Sequence, residues 1–262
     1  MAPSIIVGYS KNLSEFPECD SRDKLRVGYL ISSDYSLIRL TEWALVNSPD
    51  KYQYCLTAVI IGGDDNDWLQ EIAIEMRQSG TDEAGIINYI RGLGAEDEDD
   101  DACEHSARFV YKSFQFRIQT ENDIGVQIKG AYVHPSKEQK ALARTIYAFL
   151  LNWHRHVVCD NHQTVYGAKI WAKGMLSVGR VQVYDDLQQQ FVDTLALGGI
   201  GQAGVKPWDA LLLSEQQISH WNPNALSIDP ASKILAIISA SDRIDKVGIT
   251  TFDSTQPRLR VS

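Results

Sequence analysis

Strand-forming and helix-forming segments alternate along the second half of the chain, and this alternation limits the possible folds more than any other feature. The predicted order is strands at 109–120 and 124–133, a helix at 137–153, a strand at 156–159, a helix at 163–176, a strand at 180–184, a helix within 207–221 and a strand at 234–238. A helix that connects two neighbouring strands lets the second strand run parallel to the first. We therefore predict an α/β fold with a mixed central sheet flanked by helices.

The first half of the chain gives a weaker pattern. It predicts strands at 25–31 and 54–61, helices at 36–46, 66–78 and 82–93, and then an acidic run near 96–101 that is typical of a solvated loop. We therefore expect an irregular segment over 1–24, a section over 25–108, an α/β core over 109–245 and a tail over 246–262. The section over 25–108 is either the first half of the α/β domain or a divergent extension.

Composition excludes several classes of function. The chain has 262 residues and a formal net charge of −9, so repulsion opposes binding to nucleic acid or to an anionic membrane. It has no apolar run of transmembrane length and no secretory signal at residue 1, so we expect a cytoplasmic protein. The cysteines at 19, 55, 103 and 159 form no CxxC pair, so we predict free thiols and no metal site.

One segment carries a family signal. A predicted strand ends in Val133-His134-Pro135, and a turn then leads into the helix that contains Ala141 and Ala143. This resembles the central motif of the GNAT N-acyltransferases, in which a strand ends in Val-x-Pro and an Arg/Gln-x-x-Gly-x-Gly/Ala loop opens a helix. Backbone N–H groups and the positive end of the helix dipole suit the pyrophosphate of coenzyme A.

A second segment extends the resemblance, which covers residues 109–185. The GNAT helix with Asn-x-x-Ala-x-x-Leu-Tyr is matched in position by Thr164, Gly167, Ile170 and Trp171. This variant is similar to GNAT-like proteins encoded by bacteriophages. The resemblance implies an acetyl-CoA-dependent acyltransferase that acts on a small amine or a host protein, in the host cytoplasm.

The resemblance also implies site residues. The candidates for binding acetyl-CoA are Tyr132, Val133, Lys140, Ala141, Leu142, Ala143 and Arg144. The catalytic candidates are Asp160 and His162, as a base for the substrate amine, and Tyr166, across which the acceptor is expected to approach. Many family members have a tyrosine as general acid where this chain has Trp171, and an indole N–H is too weak an acid for that role.

Several alternatives stay open at the level of sequence. Asp160 or Asn161 caps the next helix, and His162 is then an exposed loop residue. The segment 154–156 is a solvated helix end, and the glycine-rich segment 198–204 is a linker or substrate-side loop rather than a phosphate loop. Because Glu138, Ala141 and Trp171 depart from the family pattern, the alternative function is an inactive GNAT-fold protein that binds a host protein.

Overall fold

The structure is a computed structural model that describes residues 4–6, 12–62, 66–94, 105–211, 213–214, 216, 221, 223–227 and 233–244, without the side chains of 138–140. In chain order its elements are β1 (Ser4–Ile6), β2 (Ser21–Ile31), β3 (Leu37–Val46), β4 (Tyr54–Ile60), α1 (Asn66–Gln78), α2 (Glu83–Gly92), β5 (His105–Ile118), β6 (Glu121–Val133), α3 (Leu142–His154), β7 (His156–Val158), β8 (His162–Thr164), α4 (Val165–Lys169), β9 (Gly179–Asp185), β10 (Gln190–Thr194), β11 (Trp208–Asp209), β12 (Leu226–Ser227) and β13 (Ile234–Arg243). The chain is thus a mixed α/β structure with a large mixed sheet, and none of its described helices is long and apolar enough to cross a membrane.

The chain divides into two compact units that are each discontinuous in sequence. The first unit consists of residues 1–12, 111–130 and 146–246, and the second consists of residues 13–110, 131–145 and 247–262. Strands β5 and β6 and helix α3 each contribute residues to both units. This division differs from the consecutive sections expected from the sequence, because the long hairpin β5–β6 passes through both units.

The second unit is built on an antiparallel meander of β2, β3 and β4. Helices α1 and α2 cover it, and Leu69, Ile86 and Ile90 are buried against Tyr29 and Leu37 in one apolar core. Removing this apolar surface from water is the main stabilising contribution of the unit. The acidic run near 96–101, which was expected to be a solvated loop, lies outside the described residues.

The prediction of a helix at 36–46 was wrong, because this segment is strand β3. Its apolar residues are close enough to helical spacing to mislead, but β3 is buried on almost its whole length and pairs with a strand on each edge. A strand that is buried on both faces reads as a continuous apolar run, which periodicity does not separate from a helix. Tertiary pairing therefore decided this element.

The first unit contains the strand order β10-β9-β13-β7-β6-β5 and a second, small parallel sheet in the order β12-β11-β1-β8. Strand β7 runs parallel to β6 and antiparallel to β13. The ring of Phe116 on β5 packs edge-on against Tyr184 at 5.8 Å, and the N–H of Arg117 donates to the Tyr184 hydroxyl at 3.0 Å. Three strands lie between β5 and β9 in the sheet. These contacts therefore require this part of the sheet to curve.

Two predicted segments need correction. The N-terminal segment over 1–24 contains strand β1 and the start of β2, so it is not wholly irregular. The helix predicted at 137–153 begins only at Leu142, after a 3₁₀ turn at 135–140. The segment 207–221, which was predicted to contain a helix, begins with strand β11; its described residue 216 is helical, and much of the rest lies outside the described residues.

We expect Gly125→Ala to destabilise the first unit, because the new Cβ would lie 2.7 Å from the His156 Cβ and 2.8 Å from its carbonyl oxygen. Overpacking of this kind costs about 1–3 kcal/mol. Gly167→Ala is the matched control, since its Cβ would meet only ordinary contacts at 3.5 Å and beyond. Denaturant unfolding of both variants measures the difference, and equal stabilities would contradict the close approach of β6 and β7.

Candidate functional site

The parallel pairing of β6 and β7 is short. It covers only Val126 with Val157 and Gln127 with Val158, after which β7 ends while β6 continues to Val133. In α/β sheets, ligands bind beyond the carboxyl ends of parallel strands. The end of this strand pair is therefore a candidate ligand site.

Side-chain hydrogen bonds join the two strands where the backbone ladder stops. The Gln127 amide donates to the Cys159 carbonyl oxygen at 3.2 Å and to the Asn161 Oδ1 at 2.6 Å. The Lys129 ammonium donates to the Asp160 Oδ1 at 2.7 Å and to the Asn161 Oδ1 at 3.4 Å. Gln127 and Lys129 are two residues apart on a strand and so lie on one face. Together these residues form a polar cluster at the strand ends, which we call the strand-end cluster.

The structure places the catalytic candidate Asp160 inside this cluster. Its side chain is only 8% exposed, and its carboxylate binds Lys129 and accepts the N–H of Asn161 at 2.8 Å. A buried carboxylate needs a partner of this kind, because an unpaired charge is costly to remove from water. Asp160 is therefore a fixed, ion-paired carboxylate and not an exposed base.

His162 and Gln163 face opposite sides of strand β8. His162 is exposed, whereas Gln163 is buried and donates to the Asp160 carbonyl oxygen at 2.9 Å. The Gln163 side-chain oxygen accepts the indole N–H of Trp208 at 3.2 Å. The residue that faces the cluster is thus Gln163, which the sequence analysis did not select, while the catalytic candidate His162 faces solvent.

The cap of helix α4 differs from both residues that were expected to provide it. The Thr164 hydroxyl accepts the N–H of Gly167 at 3.1 Å, so Thr164 is the N-cap instead of Asp160 or Asn161. The expected cap was wrong because β8 intervenes between Asn161 and the helix. The helix predicted at 163–176 is accordingly shorter: α4 passes into a π-helical turn at 170–174 and a 3₁₀ turn at 175–177.

Two aromatic residues at this helix have opposite environments. The catalytic candidate Tyr166 is 80% exposed, whereas Trp171 is buried and packs edge-on against Tyr147 of α3 at 5.5 Å. Burial raises the pKa of the Tyr147 hydroxyl, and a hydrogen bond with Trp171 opposes this only in part. Tyr147 is therefore a protonated phenol inside the first unit. The apolar face of its helix is the only feature of the sequence that indicates its burial.

The candidates for acetyl-CoA binding lie in the second unit. Tyr132 and Val133 are half-buried at the end of β6, and His134 caps the following 3₁₀ turn by accepting the N–H of Ser136 at 3.3 Å. Ala141 then adopts φ 56° and ψ 15°, in the left-handed region. A helical residue followed by a left-handed one forms a nest of backbone N–H groups that suits an anion.

Helix α3 starts directly after this nest. The N–H of Thr145 bonds to the Ala141 carbonyl oxygen at 3.1 Å, so the amides of Leu142, Ala143 and Arg144 form the first turn. Such amides have no acceptor within their own helix, and the helix dipole is positive there. The side chain of Lys140 lies outside the described part, while that of Lys137 pairs with Asp34 at 3.2 Å.

The glycine-rich segment 198–204 is a structured turn held by an internal carboxylate. Asp193 accepts the N–H groups of Ala203 at 2.9 Å, Val205 at 3.0 Å and Thr194 at 2.7 Å. Burial alone would raise the pKa of Asp193, but these backbone bonds outweigh it and lower the pKa. Of the two alternatives, the flexible linker is therefore wrong, because Asp193 binds the loop amides, and the substrate-side loop stays a prediction.

His156 was expected both at the start of the strand predicted at 156–159 and at a solvated helix end over 154–156. The strand prediction is confirmed, since His156 begins β7 and its side chain is 2% exposed, and the solvated helix end was wrong for this residue. One ring nitrogen lies 2.8 Å from the Ser239 hydroxyl on β13 and the other lies 3.1 Å from Asp123 on β6. Burial lowers the pKa of His156, and the nearby Asp123 carboxylate opposes this without reversing it. The neutral ring thus links three strands.

The described cysteines are free thiols, as predicted for Cys19, Cys55 and Cys159, while Cys103 lies outside the described residues. Burial raises the pKa of the Cys159 thiol to about 12, and its sulfur accepts the N–H of Ala236 at 3.2 Å. A thiol in this state is not a nucleophile at neutral pH. Cys159 contributes its carbonyl oxygen to the strand-end cluster.

Comparison of the chain with protein-family models, with curated proteins and with solved structures gives no match. The features of the chain that bear on function are the strand-end cluster, the α3 N-terminus and the local sequence resemblance to GNAT proteins.

We expect Gly201→Ala to open the glycine-rich turn, because the new methyl group would overlap the Asp193 carboxylate. Hydrogen exchange at the amides of Ala203 and Val205 should become faster in this variant. In the wild-type chain these amides should be protected at pH values above about 3.9, the pKa of Asp193 in the unfolded chain. The protection should be lost as the pH falls through the lower pKa that Asp193 has in the folded chain. Unchanged exchange in the variant would show that Asp193 does not hold the turn.

We expect the chain to lose stability as pH falls below about 6.5, because His156 takes up a proton in the unfolded chain before it does so in the folded one. Denaturant unfolding between about pH 5.5 and 7.5 measures this slope. The slope should be smaller in His156→Gln and unchanged in His162→Gln, whose side chain is exposed. Equal slopes in the two variants would contradict the assignment.

Proposed function

We propose that the chain is a GNAT-like, acetyl-CoA-dependent N-acyltransferase. The observation that carries the proposal is the left-handed Ala141 between the 3₁₀ turn and α3, at a position where the family motif has glycine. Glycine is favoured in motifs of this kind because it adopts positive φ without a steric cost. The parallel pairing of β6 with β7, which stops after two paired positions, supports the same assignment.

The anion site of this proposal uses backbone groups. The amides of Leu142, Ala143 and Arg144, with the nest at Ala141, would hold the pyrophosphate of coenzyme A. Tyr132 and Val133 would lie along its pantetheine arm, as the family resemblance implies. When bound, acetyl-CoA supplies an acyl group that is activated as a thioester.

The chain's own residues would then orient the acceptor and move its proton. Asp160 and His162 are the candidates for accepting a proton from the substrate amine, with His162 open to solvent water and Asp160 held by Lys129. The exposed Tyr166 would contact the acceptor. Trp171 cannot protonate the leaving thiolate, and its burial against Tyr147 gives it a packing role.

The alternative proposal is a GNAT-like protein that has lost catalysis and binds a partner protein. Two observations favour it. Four hydrogen bonds of the strand-end cluster join β6 to residues 159–161, and an acyl group entering between them would have to displace these bonds. The family's general-acid position is also occupied by the buried Trp171.

Coenzyme A should raise the melting temperature of the chain by several degrees when its concentration is about 100 times its Kd, since this contributes about 2.7 kcal/mol. Ala141→Glu should remove the shift, because it places a carboxylate at the anion site and a larger side chain at positive φ. Ala141→Gly is the matched control and should keep the shift, because glycine adopts this conformation freely.

The two proposals differ in this assay. A chain that does not respond to coenzyme A but binds a partner protein with measurable affinity would support the inactive form and contradict the acyltransferase. A response that survives in Ala141→Glu would place the ligand elsewhere on the chain and contradict the site at α3.

A further inference from the structure

The first unit carries an open groove of about 550 Å³, which strands β9 and β10 and the glycine-rich turn form together. Small-molecule sites in proteins have volumes of about 300–1,000 Å³, so the groove is large enough for a ligand. The side chains that give it its chemistry are polar except for one aromatic ring, and they all belong to the first unit: Arg180, Gln182, Phe191, Asp193, Thr194 and Gln202.

Strand pairing places three polar side chains in one row across the groove. Thr194 on β10 lies opposite Gln182 on β9. On the other edge of β10, Leu195 is bridged to Gly201, and the Gln202 N–H donates to the Thr194 carbonyl oxygen at 2.8 Å. Residues that lie opposite each other in antiparallel pairs share a face. The side chains of Gln182, Thr194 and Gln202 are therefore neighbours.

A β-bulge brings an aromatic ring to the same face. Phe191 lies opposite Tyr184 and Thr194 lies opposite Gln182, because the register of the two strands shifts after Phe191. In a regular strand, side chains three positions apart point to opposite faces, but the additional residue of the bulge reverses this. The Phe191 ring packs edge-on against Tyr184 at 5.1 Å, and its remaining surface lines the groove.

The charged groups of the groove already have partners within the unit. The Arg180 guanidinium donates to the Asp242 Oδ1 through Nε at 3.1 Å and through Nη2 at 2.6 Å. The Gln182 amide donates to the Asp242 Oδ2 at 2.8 Å, so one carboxylate fixes both side chains. Asp193 accepts backbone N–H groups of the glycine-rich turn. An ionic ligand would have to displace these bonds, whereas a neutral one would not.

The groups that remain for a ligand are neutral donors and acceptors. Within the described part of the chain, the Thr194 hydroxyl, the Gln202 amide and the Gln182 Oε1 have no hydrogen-bond partner. Hydroxyl and amide groups together offer both donors and acceptors. A sugar presents the same combination in its hydroxyl groups, and the C–H groups on the face of its ring suit an aromatic surface such as Phe191.

We propose that this groove binds a neutral carbohydrate, whose hydroxyl groups bond to Gln182, Thr194 and Gln202 while one ring face lies against Phe191. An added peptide strand fits less well, because the glycine-rich turn already pairs with the end of β10 and covers the edge that such a strand would use. The inference goes beyond the proposed acyltransferase function and does not depend on it.

The test starts from an array of neutral mono- to tetrasaccharides and their sulfated counterparts, probed with the labelled full chain. We expect neutral members to be retained and sulfation to give no advantage. The neutral glycan that binds best is then titrated into the ¹⁵N-labelled chain up to about 10 mM, since a shallow groove should bind with a Kd of about 1 mM. The amides of Thr194, Gln202 and Ala203 should shift, and those of Leu142 and Ala143 should not.

Variants of single side chains show which groups contact the sugar. Gln202→Ala and Thr194→Val should each weaken binding by about five-fold, because each removes a hydrogen bond. Gln188→Ala is the matched control, since Gln188 is exposed in the turn after β9 and does not line the groove. Circular dichroism at the assay temperature confirms that each variant is folded before affinities are compared.

Asp242→Asn tests whether the groove is neutral because Arg180 has a counter-charge. This variant should bind sulfated glycans more tightly than the wild-type chain does, since the guanidinium then lacks its carboxylate. An unchanged preference would contradict the neutralisation of Arg180.

The proposal is wrong if no neutral glycan shifts the groove amides, if only sulfated glycans bind the wild-type chain, or if Gln202→Ala and Gln188→Ala bind equally well. The amides of Leu142 and Ala143 report the proposed coenzyme A site separately. Each of these results therefore leaves the acyltransferase proposal to its own test.

Discussion

The short parallel pairing of β6 with β7 is the constraint on which the candidate site depends. After two paired positions the backbone hydrogen bonds end, and the polar groups at the strand ends need other partners. Gln127 and Lys129 supply them by bonding to Cys159, Asp160 and Asn161. The same hydrogen bonds that stabilise the end of the sheet therefore set the positions of the groups available for chemistry.

The opposite end of this strand pair is organised in a different way. There His156 is buried and neutral, and it joins Asp123 on β6 to Ser239 on β13. Gly125 allows the backbone of β6 to approach His156 closely. One end of the pair is thus fixed by a buried histidine, while the other holds an ion pair whose amine is still partly accessible. The partly accessible pair lies at the carboxyl ends of the two parallel strands, where ligands bind in α/β sheets.

Three residues illustrate what could and could not be predicted from the sequence. The turn before α3 and the small residue at 141 were recognised from their pattern, but the left-handed conformation of Ala141 appears only in the structure. Asp160 was recognised from the sequence as a polar residue just after a strand. Its partner Lys129, which is 31 residues away, was not recognised. His156 was predicted to begin a strand, but the sequence does not indicate that its ring joins that strand to two others.

The sequence by itself determined the α/β class, the strands β5, β6, β7, β9 and β13, the helix α3 and the acidic charge, because periodicity and composition act locally. Tertiary structure decided that 36–46 is a strand, that Asp193 holds the glycine-rich turn and that Lys129 meets Asp160. Each of these depends on groups distant in sequence whose burial makes a partner necessary. Such a requirement arises only when the chain has folded and water has been excluded.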